Sequence, residues 1–198
     1  MTDESRSIGG RAAQLLSRFT GELPQTIIGN LVAHGNNICN DVRVDYFGGA
    51  TFTTTERQNH HRGYSIGNYI HVDIKDEIQG DFQSYLLSDP VYMHEYGHTL
   101  QSQFYGFAYI FPAALSLGNF LFGGESDPWK ADKRTSFFVE KGANTRASIY
   151  FQQYGINWTK TKYYSTDPLH RWKPISADYP IYSNSNSWLY VSHFYPFY

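Results

Sequence analysis

Two histidines flanking a glutamate are the residues of this chain best suited to chemistry: His94-Glu95-Tyr96-Gly97-His98. On a helix, positions i and i+4 project from one face, so each imidazole can offer a nitrogen to the same cation. Glu95 points about 100° round the axis from His94, close enough to hold a water bound to that ion without ligating it. A catalytic zinc takes three protein ligands and keeps a fourth position for water. After His98 come Thr99, Leu100, Gln101, Ser102, Gln103 and Phe104, so the third ligand has to come from elsewhere, and a carboxylate on a second helix is the natural donor. Glu140 is the best candidate. Glu140, Ala143, Asn144 and Ala147 share one helix face, and the two alanines let that face approach the histidine helix closely. Asn144, one turn beyond Glu140, is placed to orient a ligand histidine through its second ring nitrogen. Glu125, Asp127 and Asp132 are competing donors in a loop, where geometry is less fixed.

The elements that must position these residues can be read from capping and periodicity. Ser88-Asp89-Pro90 is a helix start, with Asp89 at the N-cap and Pro90 at the first helical position. That helix should run to about Tyr105, with Gly106 just past its end. Its expected apolar stripe for the core is Met93, Gly97, Leu100 and Phe104, opposite His94, His98, Gln101 and Tyr105. Thr135 or Ser136 can cap a later helix reaching about Tyr154 and stopped by Gly155. Upstream, Val42 to Phe47 and Ala50 to Thr55 are rich in β-formers around a Gly48-Gly49 hairpin turn, and Tyr69 to Ile74 alternates as a third strand. Ahead of these, Ala12, Leu15, Leu16 and Phe19 have helical spacing, and Pro24 opens a second helix expected to carry Ile27, Ile28, Leu31 and Val32 to the core before ending near Gly35. Residues 1–9 read as frayed, and residues 157–198, with several prolines among many Tyr and Trp, as an irregular segment wrapped on the body. The expected architecture is α+β: a small N-terminal sheet packed against an active-site helix and a glutamate-bearing helix.

Composition narrows the rest. The chain has 198 residues, a length that suits one domain. A net charge of −2, from 16 Lys+Arg against 18 Asp+Glu, lacks the basic excess of a nucleic-acid binder. Aromatic residues reach 18%, a large reserve of buriable area. The single Cys39 excludes a disulfide framework and reads as a small buried hydrophobe. The apolar run from Phe107 to Phe122 falls short of the ~20 residues a membrane span needs and is broken by Pro112 and Gly118. The first residues show no signal-peptide h-region, consistent with a cytoplasmic protein or with export by a dedicated route. His60-His61 read as a solvated loop pair, His34 and His71 as ordinary hydrogen-bonding histidines, and Asp73, Asp76 and Glu77 around Lys75 as a solvated turn.

His94-Glu95-Tyr96-Gly97-His98 followed by Glu140-x-x-Ala143-Asn144-x-x-Ala147 resembles the gluzincin branch of zinc metallopeptidases, which carry H-E-x-x-H and then E-x-x-A-D on a later helix. Asn144 stands where many of those families have Asp, an amide in place of an anion. The run from Tyr85 to Tyr109 also resembles the metallopeptidase-like domains at the C-termini of bacterial RHS-type polymorphic toxins. The resemblance implies a zincin-like fold, Zn2+ held by His94, His98 and Glu140, and Glu95 as general base in peptide-bond hydrolysis. It further implies a peptide or protein substrate pairing with a sheet edge at Gly63 to Ile70, an oxyanion-stabilising group such as His170, His193 or a tail tyrosine, and a possible cognate inhibitor or immunity protein. The rival expectation is a non-catalytic or latent module of the same fold that keeps its metal site to bind a partner.

Overall fold

The computed structural model describes residues 2–111 and 136–156. Helices α1 (Ile8–Phe19) and α2 (Leu23–Cys39) lead into four strands, β1 (Arg43–Phe47), β2 (Ala50–Thr55), β3 (Arg62–Ile66) and β4 (Tyr69–Asp73). Then come α3 (Phe82–Ser88), α4 (Pro90–Tyr105) with a 3-10 turn at Gly106–Tyr109, and α5 (Ser136–Phe151) with a 3-10 turn at Gln152–Tyr154. The fold is mixed α+β around one small sheet of order β1-β2-β4-β3. β1–β2 and β3–β4 are antiparallel hairpins, and the hairpins join through the parallel pair β2–β4. Gly48 and Gly49 turn the first hairpin with φ of 57° and 78°, which a side-chain-bearing residue adopts only at a cost.

Alternation along β2 and β4 separates the two sheet faces. Phe52, Ile70, Val72 and Ile74 enter the core with Leu86, Val91, Tyr92, Met93, Tyr96 and Leu100, and Tyr150 and Phe151 of α5 close it. Burying a side chain of this size contributes roughly 1.5–3 kcal/mol. The tyrosines are accommodated because their hydroxyls find partners: Tyr92 bonds Thr54 Oγ1 at 2.6 Å, and Tyr96 donates to the Gly48 carbonyl at 2.9 Å.

The opposite face of the sheet is polar. Asp73 receives His60 Nε2 at 2.8 Å, His71 Nε2 at 3.1 Å and Arg62 Nε at 3.2 Å. Burial works to raise the Asp73 carboxyl, but the hydrogen bonds from His60 and Arg62 overcome it and hold the group below the ordinary carboxylate range. Burial lowers the His71 imidazole against the pull of Asp73. Asp73 is therefore a strand residue at the centre of a cluster, not part of a solvated turn, and His60 is tied to it.

Several expectations are corrected by packing. α1 and α2 turn Leu16, Phe19, Ile27, Ile28 and Leu31 outward, with Leu16 65% and Leu31 67% exposed. They dock through polar side chains instead. Gln14 donates to the Gly48 carbonyl at 3.2 Å, Arg18 donates to the Gly49 carbonyl, and Gln25 donates to the Gly106 carbonyl at 2.6 Å. The carbonyls of a tight turn and of a helix end need donors, and that need outweighs the apolar periodicity of the two helices. α2 runs past Gly35 to Cys39, whose side chain is exposed rather than buried. α3 and β3 stand where no helix or strand is expected, although all of β3 but Arg62 lies in the stretch from Gly63 to Ile70 assigned to a sheet edge.

Candidate metal centre

α4 begins and ends where its capping residues dictate. Asp89 accepts the Val91 N–H at 2.8 Å, Pro90 occupies the first turn, and Gly106 closes the helix with φ of 54°. Every residue from Val91 to Ser102 is buried. The expected division into an apolar and a polar face therefore gives way to a helix enclosed on all sides, with β3 and α5 against it. Phe104 departs from the expected core stripe: it is part-exposed, with the Arg146 guanidinium 4.3 Å from its ring centroid.

His94 and His98 meet as the spacing predicts. They are 2% and 8% exposed, and their Nε2 atoms lie 3.1 Å apart with the rings perpendicular. Two imidazole nitrogens on a tetrahedral zinc are separated by about 3.3 Å, from Zn–N bonds of ~2.05 Å. The pair thus presents two nitrogens at nearly the spacing of one ion's ligands. The other nitrogen of His98 is engaged: Nδ1 lies 2.9 Å from Gln101 Oε1 and 2.9 Å from the Tyr109 hydroxyl. Gln101 in turn donates through Nε2 to the Val139 carbonyl of α5 at 2.7 Å. A proton on Nδ1 satisfies these contacts and leaves the Nε2 lone pair facing His94.

Glu95 is 5% exposed and lies against β3. A Cβ added at Gly63 would stand 2.7 Å from Glu95 Cγ and 3.1 Å from Oε1, so the strand passes directly over this side chain. His61 Nε2, just before β3, stands 3.0 Å from the Asp89 carboxylate, beside the helix N-cap. β3 is the edge of the sheet, as assigned to the 63–70 stretch. Tyr69 and Ile70 belong to β4 inside it.

α5 approaches α4 backbone to backbone. A Cβ on Gly97 would lie 2.1 Å from the Ala143 carbonyl oxygen and 3.1 Å from Ala147 Cβ, which accounts for glycine inside a buried helix and for both alanines. Glu140 lies in α5 one turn before Ala143, and Asn144 directly after it. The side chains of Glu140 and Asn144 lie outside the described residues, as do Glu125, Asp127, Asp132, His170 and His193. Among the described residues, no group of three His, Cys, Asp or Glu is placed to hold an ion.

No protein-family model, no curated protein and no solved structure matches this chain. The site's own geometry carries the functional reading. Three parts of that geometry had no signal in motif spacing: Gln101 and Tyr109 at His98 Nδ1, Gly63 over Glu95, and His61 on Asp89. A glutamine three residues after His98 and a glycine in a strand were the visible hints. No helix among the described residues is long and apolar enough to cross a membrane.

Proposed function

We propose that the chain is a zinc-dependent peptidase of gluzincin type with a zincin-like arrangement. The observation that carries this reading is the convergence of His94 Nε2 and His98 Nε2 at 3.1 Å on a buried helix, with Glu95 beside them. His94 and His98 supply two ligands. Glu140 supplies the third, and the contact of Gly97 with Ala143 supports that choice by bringing its helix against α4. The donor set, two neutral imidazoles and a carboxylate, suits Zn2+. Bound zinc would supply Lewis-acid polarisation of the scissile carbonyl and acidify a water.

The remaining work falls to this chain's residues. Glu95 takes the proton from the attacking water and passes it to the leaving amine, so its carboxylate begins and ends the cycle unprotonated. Its burial under β3 limits competing solvent and strengthens its electrostatic interactions. An extended peptide or protein segment adds to the open edge of β3 by main-chain hydrogen bonds, which carries its carbonyl past Glu95. Measuring zinc in protein purified without added metal, together with peptide hydrolysis by wild type and Glu95→Gln, tests the proposal. Retained zinc with cleavage reduced about 10²–10⁴-fold in the variant is the expected result. Unchanged cleavage removes Glu95 from the mechanism, and bound zinc with no cleavage by wild type leaves a metal-holding interaction module.

A further inference from the structure

We infer that Gln101 is a positioning residue for the metal pair: it selects which nitrogen of His98 carries the proton and ties that ring to α5. The inference rests on the metal-site reading above. The Val139 carbonyl can only accept a hydrogen bond. It faces Gln101 Nε2 at 2.7 Å, and this sets the amide so that Oε1 points at His98 Nδ1, 2.9 Å away. Tyr109 donates its own proton to the same Oε1 at 3.2 Å, while its oxygen stands 2.9 Å from Nδ1. Both neighbours of Nδ1 therefore present oxygen lone pairs, and the imidazole responds with Nδ1–H. Nε2 is left as the lone-pair nitrogen, on the side where His94 Nε2 lies.

Remove the amide and the balance reverses. With no Oε1 to receive it, the Tyr109 proton turns to Nδ1, and the proton of His98 moves to Nε2, where it blocks a metal bond. Gln101 is buried; it reaches the imidazole pair through His98 Nδ1 and α5 through the Val139 carbonyl, and the tautomer of His98 reads the first of these alone. Partners of this kind typically change metal affinity by about 10–100-fold.

The experiment uses the metal-free full chain and zinc alone as the probe. Long-range 15N–1H NMR assigns the His98 tautomer, and competition against a chelator gives the zinc affinity. Wild type should show Nδ1–H. Gln101→Met, close in shape but lacking the amide, should shift His98 toward Nε2–H and weaken zinc by about 10–100-fold. Gln101→Glu keeps an acceptor for Nδ1–H and should restore the wild-type tautomer and most of the affinity, even if its lost donation to Val139 lowers thermal stability. Tyr109→Phe in the Gln101→Met background removes the competing donor and should return part of the affinity. An unchanged tautomer and affinity in Gln101→Met overturns the inference. If Gln101→Met does not fold, Gln101→Glu decides alone, and a shift to Nε2–H in that variant is the overturning result. Failure of wild type to bind zinc would instead defeat the metal-site reading, with the tautomer measurement still judging the role of Gln101.

Discussion

Alanine at Gly63 is the substitution that separates the chemistry proposed for Glu95 from the proposed metal binding. Gly63 in β3 lies against Glu95, and an ideal Cβ there would stand 2.7 Å from Cγ and 3.1 Å from both Cδ and Oε1. Ordinary van der Waals contact begins at about 3.4 Å, so Glu95 Cγ must retreat by roughly 0.7 Å, and its carboxylate swings with it. The neighbour that must yield is the Glu95 side chain, which is buried and can turn only about its first torsion within a packed site. The fold should therefore lose about 1–3 kcal/mol through overpacking, read from urea unfolding. Proton abstraction is far less tolerant, since a displacement near 1 Å can cost about 10²-fold in rate. Gly63→Ala should keep wild-type zinc stoichiometry and lower kcat/KM for a peptide substrate by about 100-fold. Isothermal titration with zinc and a fluorogenic peptide assay on one preparation provide both numbers. Wild-type turnover in Gly63→Ala would refute the claim that the observed Glu95 position is the working one.

Further consequences follow from the same contacts. In Gly97→Ala the new Cβ meets the Ala143 carbonyl oxygen at 2.1 Å, where neither backbone can yield cheaply; overpacking of about 1–3 kcal/mol is expected from urea unfolding, with weakened zinc binding as α5 is pushed away. Burial keeps the folded-state pKa of His71 below its unfolded value. The unfolded chain then takes up this proton first as pH falls, so the stability it contributes is complete above about pH 6.5 and declines below it. Asp73, also depressed, adds a further loss below about pH 3.9; the decline in urea midpoint between pH 7 and 5 should be smaller in His71→Gln. Leu31→Gln, on the exposed side of α2, should change stability by less than about 0.5 kcal/mol, and a larger loss would show that this leucine is covered in solution.

The parts of the fold legible in the sequence were those set by local chemistry. Asp89-Pro90 and Gly106 bound α4, Gly48-Gly49 turn a hairpin, and Gly155 with φ of 75° ends the 3-10 turn after α5, all from residues whose backbone preferences act where they stand. The i, i+4 spacing of His94 and His98 was equally readable, because a helix fixes it without help from the rest of the chain. The two N-terminal helices misled because their periodicity is amphipathic while their docking surface includes a set of carbonyls to which Gln14, Arg18 and Gln25 donate. Phe104 misled for a related reason: it continues the helical stripe, but α4 has already emerged from the core at that turn. Gln101 was legible only as a member of the histidine face and Gly63 only as part of a sheet edge; that Gln101 bonds the Val139 carbonyl and that Gly63 covers Glu95 are contacts between residues distant in the chain, and Tyr109 reaches His98 only through the turn that follows α4. The choice of Glu140 over Glu125, Asp127 and Asp132 is favoured by Gly97 meeting Ala143, a contact that needed the tertiary structure to appear.

Anomalous diffraction at the zinc edge, from crystals of the full chain grown with zinc, is the most direct trial of the metal centre. One strong peak is expected about 2.0–2.1 Å from the Nε2 atoms of both His94 and His98, with a Glu140 oxygen as third ligand and water as fourth. A peak elsewhere, or one at the histidines with the Glu140 carboxylate turned away and no other acid or imidazole in its place, would contradict it.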